Sequence, residues 1–200
     1  METEARSIDP RVKRTRKLLQ QAFMELLQEK TFASISILDI TERATVNRAT
    51  FYAHFSDKYA LMDSTIREQF QQSITSQFSA TSGWRETNVR ILIRDTANFL
   101  SDLYHHCKPS DMHLNFLSGQ AIQQEVVHIL LNWLKQAKGK TQRRVQLEAV
   151  ASAMSWTILG ATIEWVGNEQ QLSLEEITNQ TTPILTEGIA RLVPGLSPQE

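Results

Sequence analysis

The first 82 residues of this chain contain no glycine, and all 200 residues contain only seven. No Gly-rich phosphate loop can be read from it, and neither Gly-x-Ser-x-Gly nor His-Glu-x-x-His occurs, so the sequence offers no catalytic set. Its single cysteine, Cys107, excludes an internal disulfide framework and suits a reducing compartment. The opening residues METEARSIDP lack the apolar stretch of a secretory signal, which leads us to expect a cytoplasmic protein. Neither sign of charge dominates: 21 Lys/Arg face 22 Asp/Glu, a net charge of −1, which argues against a surface coated throughout for nucleic acid. Strand-like alternation, internal repeats and low-complexity tracts are also missing.

What is there has helical period. Leu18, Leu19, Ala22, Phe23, Leu26 and Leu27 form one apolar stripe, which predicts a first helix over about 10–29 with Pro10 in its first turn. Short helices are expected around Leu38–Ala44, with Ser36 as cap, and over Arg48–His54. A long helix should follow, capped by Ser56 or Asp57 and reaching toward Phe78. Further stripes run from Val89 to Cys107, ended by Pro109, and from Ile122 to Leu134, ended near Gly139. Residues 142–166 form another helix. "SLEE" (173–176) opens the last, with Ser173 and Glu176 spaced as a capping box and Pro183 placed to kink it. A hydrophobic fraction of 41% with 22% charged residues describes an all-α soluble chain able to bury a sizeable core.

One run could be read otherwise. "VASAMSWTILGATIEWVG" (150–167) has the length of a membrane span, but Glu164 and four Ser/Thr interrupt it. It reads more simply as a helix covered on one side by its own domain and on the other by a partner subunit.

Charge is unevenly placed. Residues 1–60 hold 10 Lys/Arg against 8 Asp/Glu, while 61–200 hold 11 against 14, and "RVKRTRK" (11–17) is five-sevenths basic. An anionic partner is therefore expected at the first third of the chain. There, two short helices joined by a tight turn follow a long first helix, the makings of a helix-turn-helix. Within "TVNRATFYAHFSDK" (45–58), Phe51 and Tyr52 are adjacent, so a helix that buries one turns the other about 100° away. With Phe51 inward beside Ile40, Ala44, Val46 and Phe55, Tyr52 emerges among Asn47, Arg48, Thr50, His54 and Lys58. A solvated amphipathic face would look the same; from spacing alone DNA contact and plain surface stay open together.

The stretch "ILDITERATVNRATFYAHFSDKYALM" (37–62), with the first helix ending "AFMELLQEKTF" (22–32), resembles the N-terminal domain of the TetR family of bacterial regulators. A weaker likeness, over 159–192, is to the closing helix pair of many members. The chain departs from the family pattern at Thr45, in the turn, and Thr31, at the first-helix exit, where glycine is usual; positive φ at either would strain a threonine.

The resemblance implies an N-terminal three-helix helix-turn-helix domain (1–57) and a larger helical regulatory and dimerisation bundle (58–200). It further implies a homodimer on a near-palindromic double-stranded operator. Carried over by matching position, the DNA-facing residues are Ser36, Ile37, Asn47, Arg48, Ala49, Thr50, Tyr52 and His54, with Lys58 on a phosphate. Arg48 is the candidate base reader, since bidentate guanidinium to guanine is the commonest specific contact. Asn47 reads equally as an adenine reader or as a helix cap, and Ala49 can touch a thymine methyl.

In the second part, Phe70, Phe99, Tyr104, Phe116 and Trp133 are candidate walls of an effector pocket, although aromatics at helical spacing are individually more often core. An unknown, largely apolar effector would loosen the operator through the long helix that begins near Ser56. Ala149, Ala153, Trp156, Gly160, Ile163, Ile184 and Leu185 are the expected dimer interface. His105, His106, Cys107 and His113 have metal-ligand residue types but not metal-ligand spacing, so neither a metal site nor a cofactor is expected. The competing reading is a DNA-binding regulator whose C-terminal bundle takes a protein partner. An all-α enzyme is the third.

Overall fold

The computed structural model describes residues 9–75, 77–78, 83–106, 112–137, 146–167 and 172–192; for residues 106, 112–116 and 192 it describes the backbone alone. The architecture is all-helical. Among the described residues eight α-helices follow one another: α1 (Pro10–Glu29), α2 (Ile37–Arg43), α3 (Arg48–His54), α4 (Lys58–Thr75), α5 (Glu86–His106), α6 (Met112–Ala137), α7 (Leu147–Gly167) and α8 (Leu174–Leu192). A single 3-10 turn, Phe32–Ser34, lies between α1 and α2. The chain parts into two compact units, Met1–Thr65 with His106–Asn115, and Ile66–His105 with Phe116–Glu200; α4 contributes residues to both.

In the first unit, local signals start each helix where the sequence places them. Asp9 caps α1 by accepting from the Arg11 amide at 2.8 Å, with Pro10 in the first turn. Ser36 and Asp39 make a reciprocal box at α2, Asp39 N–H donating to Ser36 Oγ at 3.1 Å and Ser36 N–H to Asp39 Oδ2 at 2.7 Å. Asp57, of the two candidates, caps α4 by accepting from the Ala60 amide at 2.8 Å. Leu19, Phe23, Leu26, Leu27, Phe32, Ile40, Phe51 and Phe55 are buried, each worth about 1.5–3 kcal/mol of transfer free energy. Leu18 breaks the expected stripe and is 40% exposed, a helix of 3.6 residues per turn having no room inward for both members of every adjacent pair.

The exit of α2 is a Schellman motif. The Thr45 amide donates to Glu42 O at 3.1 Å and the Val46 amide to Thr41 O at 3.0 Å, closing the last turn. That geometry requires the left-handed region at the residue after the cap, and Thr45 adopts φ 56°. Thr31 is different: its φ of −65° and ψ of 151° are extended, and its hydroxyl lies 2.9 Å from that of Ser34. The threonine at the turn is strained. The threonine at the first-helix exit is not.

The second unit is a bundle. Leu92, Ile93, Leu100, Ile122, Val126, Leu130, Leu134, Ile158 and Leu159 are among its buried apolar residues. α7 is apolar nearly all round and packs on α8, which runs through Pro183 and opens on the expected Ser173–Glu176 box. Threonines enter the interior repeatedly: Thr96, Thr162, Thr178, Thr182 and Thr186 are buried, and each hydroxyl donates to a carbonyl of its own helix four residues back. Gln123 crosses between helices, its Nε2 donating to Ser155 Oγ at 2.9 Å. α7 is the described helix long and apolar enough to cross a membrane by length and composition, a test that core helices of soluble proteins also pass; 39% of its most apolar window is buried.

Candidate nucleic-acid interface

The short helix α3 is built so that its two sides differ completely. Phe51 is fully buried, edge-on to Tyr52 at 5.5 Å between centroids and tilted against Phe55 at 6.0 Å. Tyr52, turned away, is 47% exposed. On that outer side Arg48 Nη2 donates to the Tyr52 hydroxyl at 3.3 Å, and the guanidinium carbon lies 5.7 Å from the ring centroid. A side chain with five N–H donors and a rigid fork thus stands against a phenol one helical turn away, and Arg48 is itself exposed. Ala49 and Ala53 are exposed beside them, leaving backbone-close surface open to an approaching groove.

The remaining expected contacts divide. Asn47 caps α3 here: its Oδ1 accepts from the Thr50 amide at 2.7 Å and the Thr50 hydroxyl at 2.9 Å. Bidentate adenine recognition needs that oxygen. Ser36 is exposed, with its hydroxyl engaged in the α2 box, while Ile37 and His54 are half-buried. The His54 carbonyl receives Arg16 Nη1 at 3.4 Å, and Arg16 also reaches Ser64 Oγ at 2.7 Å while lying 4.5 Å over the Phe55 ring. Arg16 therefore belongs to the packing, whereas Arg11, Lys13, Arg14 and Lys17 of the same basic run are exposed.

Lys58 has a task the sequence did not suggest. Its Nζ donates to the carbonyls of Phe32 at 2.9 Å, Ala33 at 3.1 Å and Ile35 at 2.8 Å, and sits 4.7 Å from the Phe32 ring centroid. An ammonium has three hydrogens, and three carbonyls take them. The side chain expected on a phosphate instead fastens the first turn of α4 to the 3-10 turn that leads into α2. Only long-range geometry could reveal this, because the carbonyls lie more than twenty residues away in sequence.

Electrostatics follow the caps. Asp39 is held far below the ordinary carboxylate range, first by Lys30 at 2.8 Å and then by Ser36. Arg43 is pushed up by Glu29, with Glu25 adding to it.

In the second unit, Phe70 and Trp133 of the expected pocket walls line one cavity of about 440 Å³ between α4 and α6, and Phe99 packs behind Phe70 at 5.2 Å. Tyr104 is half-buried, and burial raises its phenol above the usual value. The side chain of Phe116 lies outside the described residues, as do those of His106, Cys107 and His113. The position of Phe78 at the cavity, and of Glu125 and His128 on its wall, was not anticipated. Their signal was present as the i, i+3, i+4 row Glu125, His128, Ile129 followed by Asn132 and Trp133. Of the expected dimer residues, Trp156 is 51% and Ile184 64% exposed, and Ala149, Ala153 and Gly160 are exposed with them. Ile163 is half-buried. Leu185 is buried within the chain's own bundle and supports that face from beneath.

A buried helix-turn-helix core with an arginine and a tyrosine on the outward side of its last short helix defines a helix-turn-helix protein. Residues 19–65 match the family described as bacterial regulatory proteins, tetR family. Over those residues the chain is similar to the N-terminal domain of a family of bacterial transcriptional regulators. It is 41% identical over 78 residues to the uncharacterized HTH-type transcriptional regulator YxbF of Bacillus subtilis (strain 168), a match covering 38% of this chain and 20% of that one. It is 30% identical over 78 residues to DhaS, the HTH-type dhaKLM operon transcriptional activator of Lactococcus lactis subsp. lactis (strain IL1403), covering 39% and 41%. The matches thus span less than half the length of these curated relatives. Among solved structures, the transcriptional regulator FadR from Bacillus subtilis, in complex with stearoyl-CoA, superposes with a TM-score of 0.56 at 18% identity over 86% of this chain and 98% of that one. The dihydroxyacetone kinase operon activator DhaS superposes with a TM-score of 0.55 at 20% identity over 88% and 97%. These likenesses show the fold.

Proposed function

We propose that the chain is a cytoplasmic, homodimeric DNA-binding transcriptional regulator, a repressor released from a near-palindromic operator by a small, largely apolar effector. The observation that carries the DNA-binding reading is the outer side of α3, where Arg48 and Tyr52 stand exposed and mutually oriented over a packed core. Exposed Arg11, Lys13, Arg14 and Lys17 supply a basic surface on α1 suited to phosphates. Homodimerisation is supported by the exposed apolar side chains Trp156 on α7 and Ile184 on α8. The effector reading is supported by the cavity between α4 and α6, whose helix α4 is continuous with the segment carrying Lys58.

Activation is the second reading, favoured by the match to DhaS, which is described as an activator. Selection of bound fragments from random DNA tests the central claim and gives half-site spacing. Arg48→Ala should cost about 1–3 kcal/mol of operator affinity and relax one position of the site. An unchanged sequence preference in that variant removes Arg48 as a reader.

A further inference from the structure

We propose that Tyr52 is a positioning residue for Arg48: its hydroxyl and ring hold the guanidinium in the orientation in which it reads a base. The inference rests on the DNA-binding reading above and assigns sequence preference to a pair of side chains acting together. Arg48 is the first residue of α3, and Tyr52 lies four positions on, on the same side of the helix. Side chains on a helix tilt toward its N-terminus, so the phenol leans back over the turn that carries Arg48. There Arg48 Nη2 donates to the Tyr52 hydroxyl at 3.3 Å, and the guanidinium carbon stands 5.7 Å from the ring centroid. Tyr52 is itself braced, edge-on to the fully buried Phe51 at 5.5 Å between centroids. Core, phenol and guanidinium follow one another from the inside outward.

The choice of partner sets Arg48 apart. Arg43, Arg67 and Arg90 reach the carboxylates of Glu29, Glu125 and Glu175. Arg48 meets a neutral phenol, in a helix (RATFYAH) without an acidic residue. A carboxylate would hold the guanidinium more tightly, but it would also cancel its charge and repel phosphates. A phenol orients the fork and leaves its positive charge whole. Long side chains surrender rotamer freedom when they bind, and a fork held before the encounter surrenders less. Neighbouring Asn47 has its Oδ1 engaged by the Thr50 amide and hydroxyl, so bidentate reading at this end of α3 falls to Arg48.

The test uses the full chain and the duplexes recovered by selection from random DNA, resynthesised with all four bases at every half-site position. Affinities are read by fluorescence anisotropy at fixed salt. Arg48→Ala should lower the preference at one position about 5- to 150-fold. Tyr52→Phe keeps the ring against Phe51 and removes the hydroxyl alone. It should lower the preference at that same position about 2- to 10-fold and leave the other positions unchanged. In the Arg48→Ala background Tyr52→Phe should change nothing further, the non-additivity of groups that act as one. Tyr52→Phe weakening every duplex alike would put the phenol on a phosphate, or, with a lowered Tm, give it a merely structural role. A changed preference at a different position would make Tyr52 a reader in its own right. Each of these overturns the proposal, as does additivity of the two substitutions or no effect of Tyr52→Phe. When Arg48→Ala relaxes a position and Tyr52→Phe does not, the positioning fails and the DNA-binding reading stands. Arg48→Ala that leaves every preference intact overturns both the base reader and its positioning. Failure to recover any duplex overturns the DNA-binding reading and the proposal with it.

Discussion

Replacing Thr45 by glycine should make this protein more stable, although glycine is usually the destabilising member of such an exchange. Thr45 occupies the left-handed position of the Schellman motif with φ 56°, and a β-branched residue there is strained by about 1–3 kcal/mol. Its side chain is exposed, and its amide, which glycine keeps, makes the bond to Glu42 O. Against that gain stands the extra backbone entropy glycine loses on folding, about 0.5–1 kcal/mol. The net is a stabilisation of about 1 kcal/mol, or roughly 2–4 °C in Tm for a chain of this size. Thr31→Gly is the matched control. Thr31 is extended and its hydroxyl is bonded to Ser34, so glycine there should lower stability by about 0.5–1 kcal/mol or somewhat more. Urea titrations followed by far-UV circular dichroism give both changes as midpoint shifts at constant slope. A destabilised Thr45→Gly, or two substitutions moving in the same direction, refutes the strain argument.

Lys58→Met should unsettle the start of α4 and lower stability by about 1–3 kcal/mol, since it takes the ammonium from three carbonyls, of which that of Phe32 keeps the Ile35 amide. The slope of log K against log salt for operator binding should move by much less than the 0.9 expected of a lost phosphate contact; a full unit's change would return Lys58 to the DNA. Ala153→Glu combined with Ile184→Glu should yield monomers by light scattering, because both positions are exposed on the face assigned to a second copy. A dimer that persists and binds DNA would place the interface elsewhere. Asp95 has a buried Oδ2 with no partner among the described residues, and burial raises its carboxyl above the usual value. A raised folded value means that its penalty is present at neutral pH and fades as pH falls through that value. Asp95→Asn should therefore add up to about 1 kcal/mol at pH 7, and the advantage should shrink in acid. Asp39 and Glu176, both depressed, carry the opposite sign: their contribution holds above the ordinary carboxylate range and is lost as pH drops below it.

Where the sequence was readable, the reason was local. Pro10, Ser36 and Asn47 announce three helix starts within a residue, because a cap acts on amides two or three positions away. The adjacent Phe51 and Tyr52 settled which side of α3 is buried, since helical rotation separates neighbours by a fixed angle. The strain at Thr45 could be suspected from the missing glycine, and the structure separates it from Thr31, where the same suspicion does not hold. What stayed hidden depends on contacts distant in sequence. The carbonyls held by Lys58, the engagement of Arg16 with His54 and Ser64, and the approach of α4 to Glu125 each join segments more than twenty residues apart. Periodicity assigns a residue to a side of its helix but does not say which other helix it meets. Leu185 shows this, having the pattern of an interface residue and the environment of a core one.

The buried threonines of the second unit have a consequence for how freely that unit can vary. Thr96, Thr162, Thr178, Thr182 and Thr186 each satisfy their hydroxyl within their own helix. They present methyl groups to their neighbours and ask for no partner at a fixed place across the gap. A core stitched by bonds between helices has one register; these positions impose none, and Gln123 with Ser155 is a pin of the kind they lack. Neighbouring helices can then shift or rotate by small amounts at little polar cost. Random drift can likewise reshape the interior by exchanging one small side chain for another without orphaning a distant hydrogen bond.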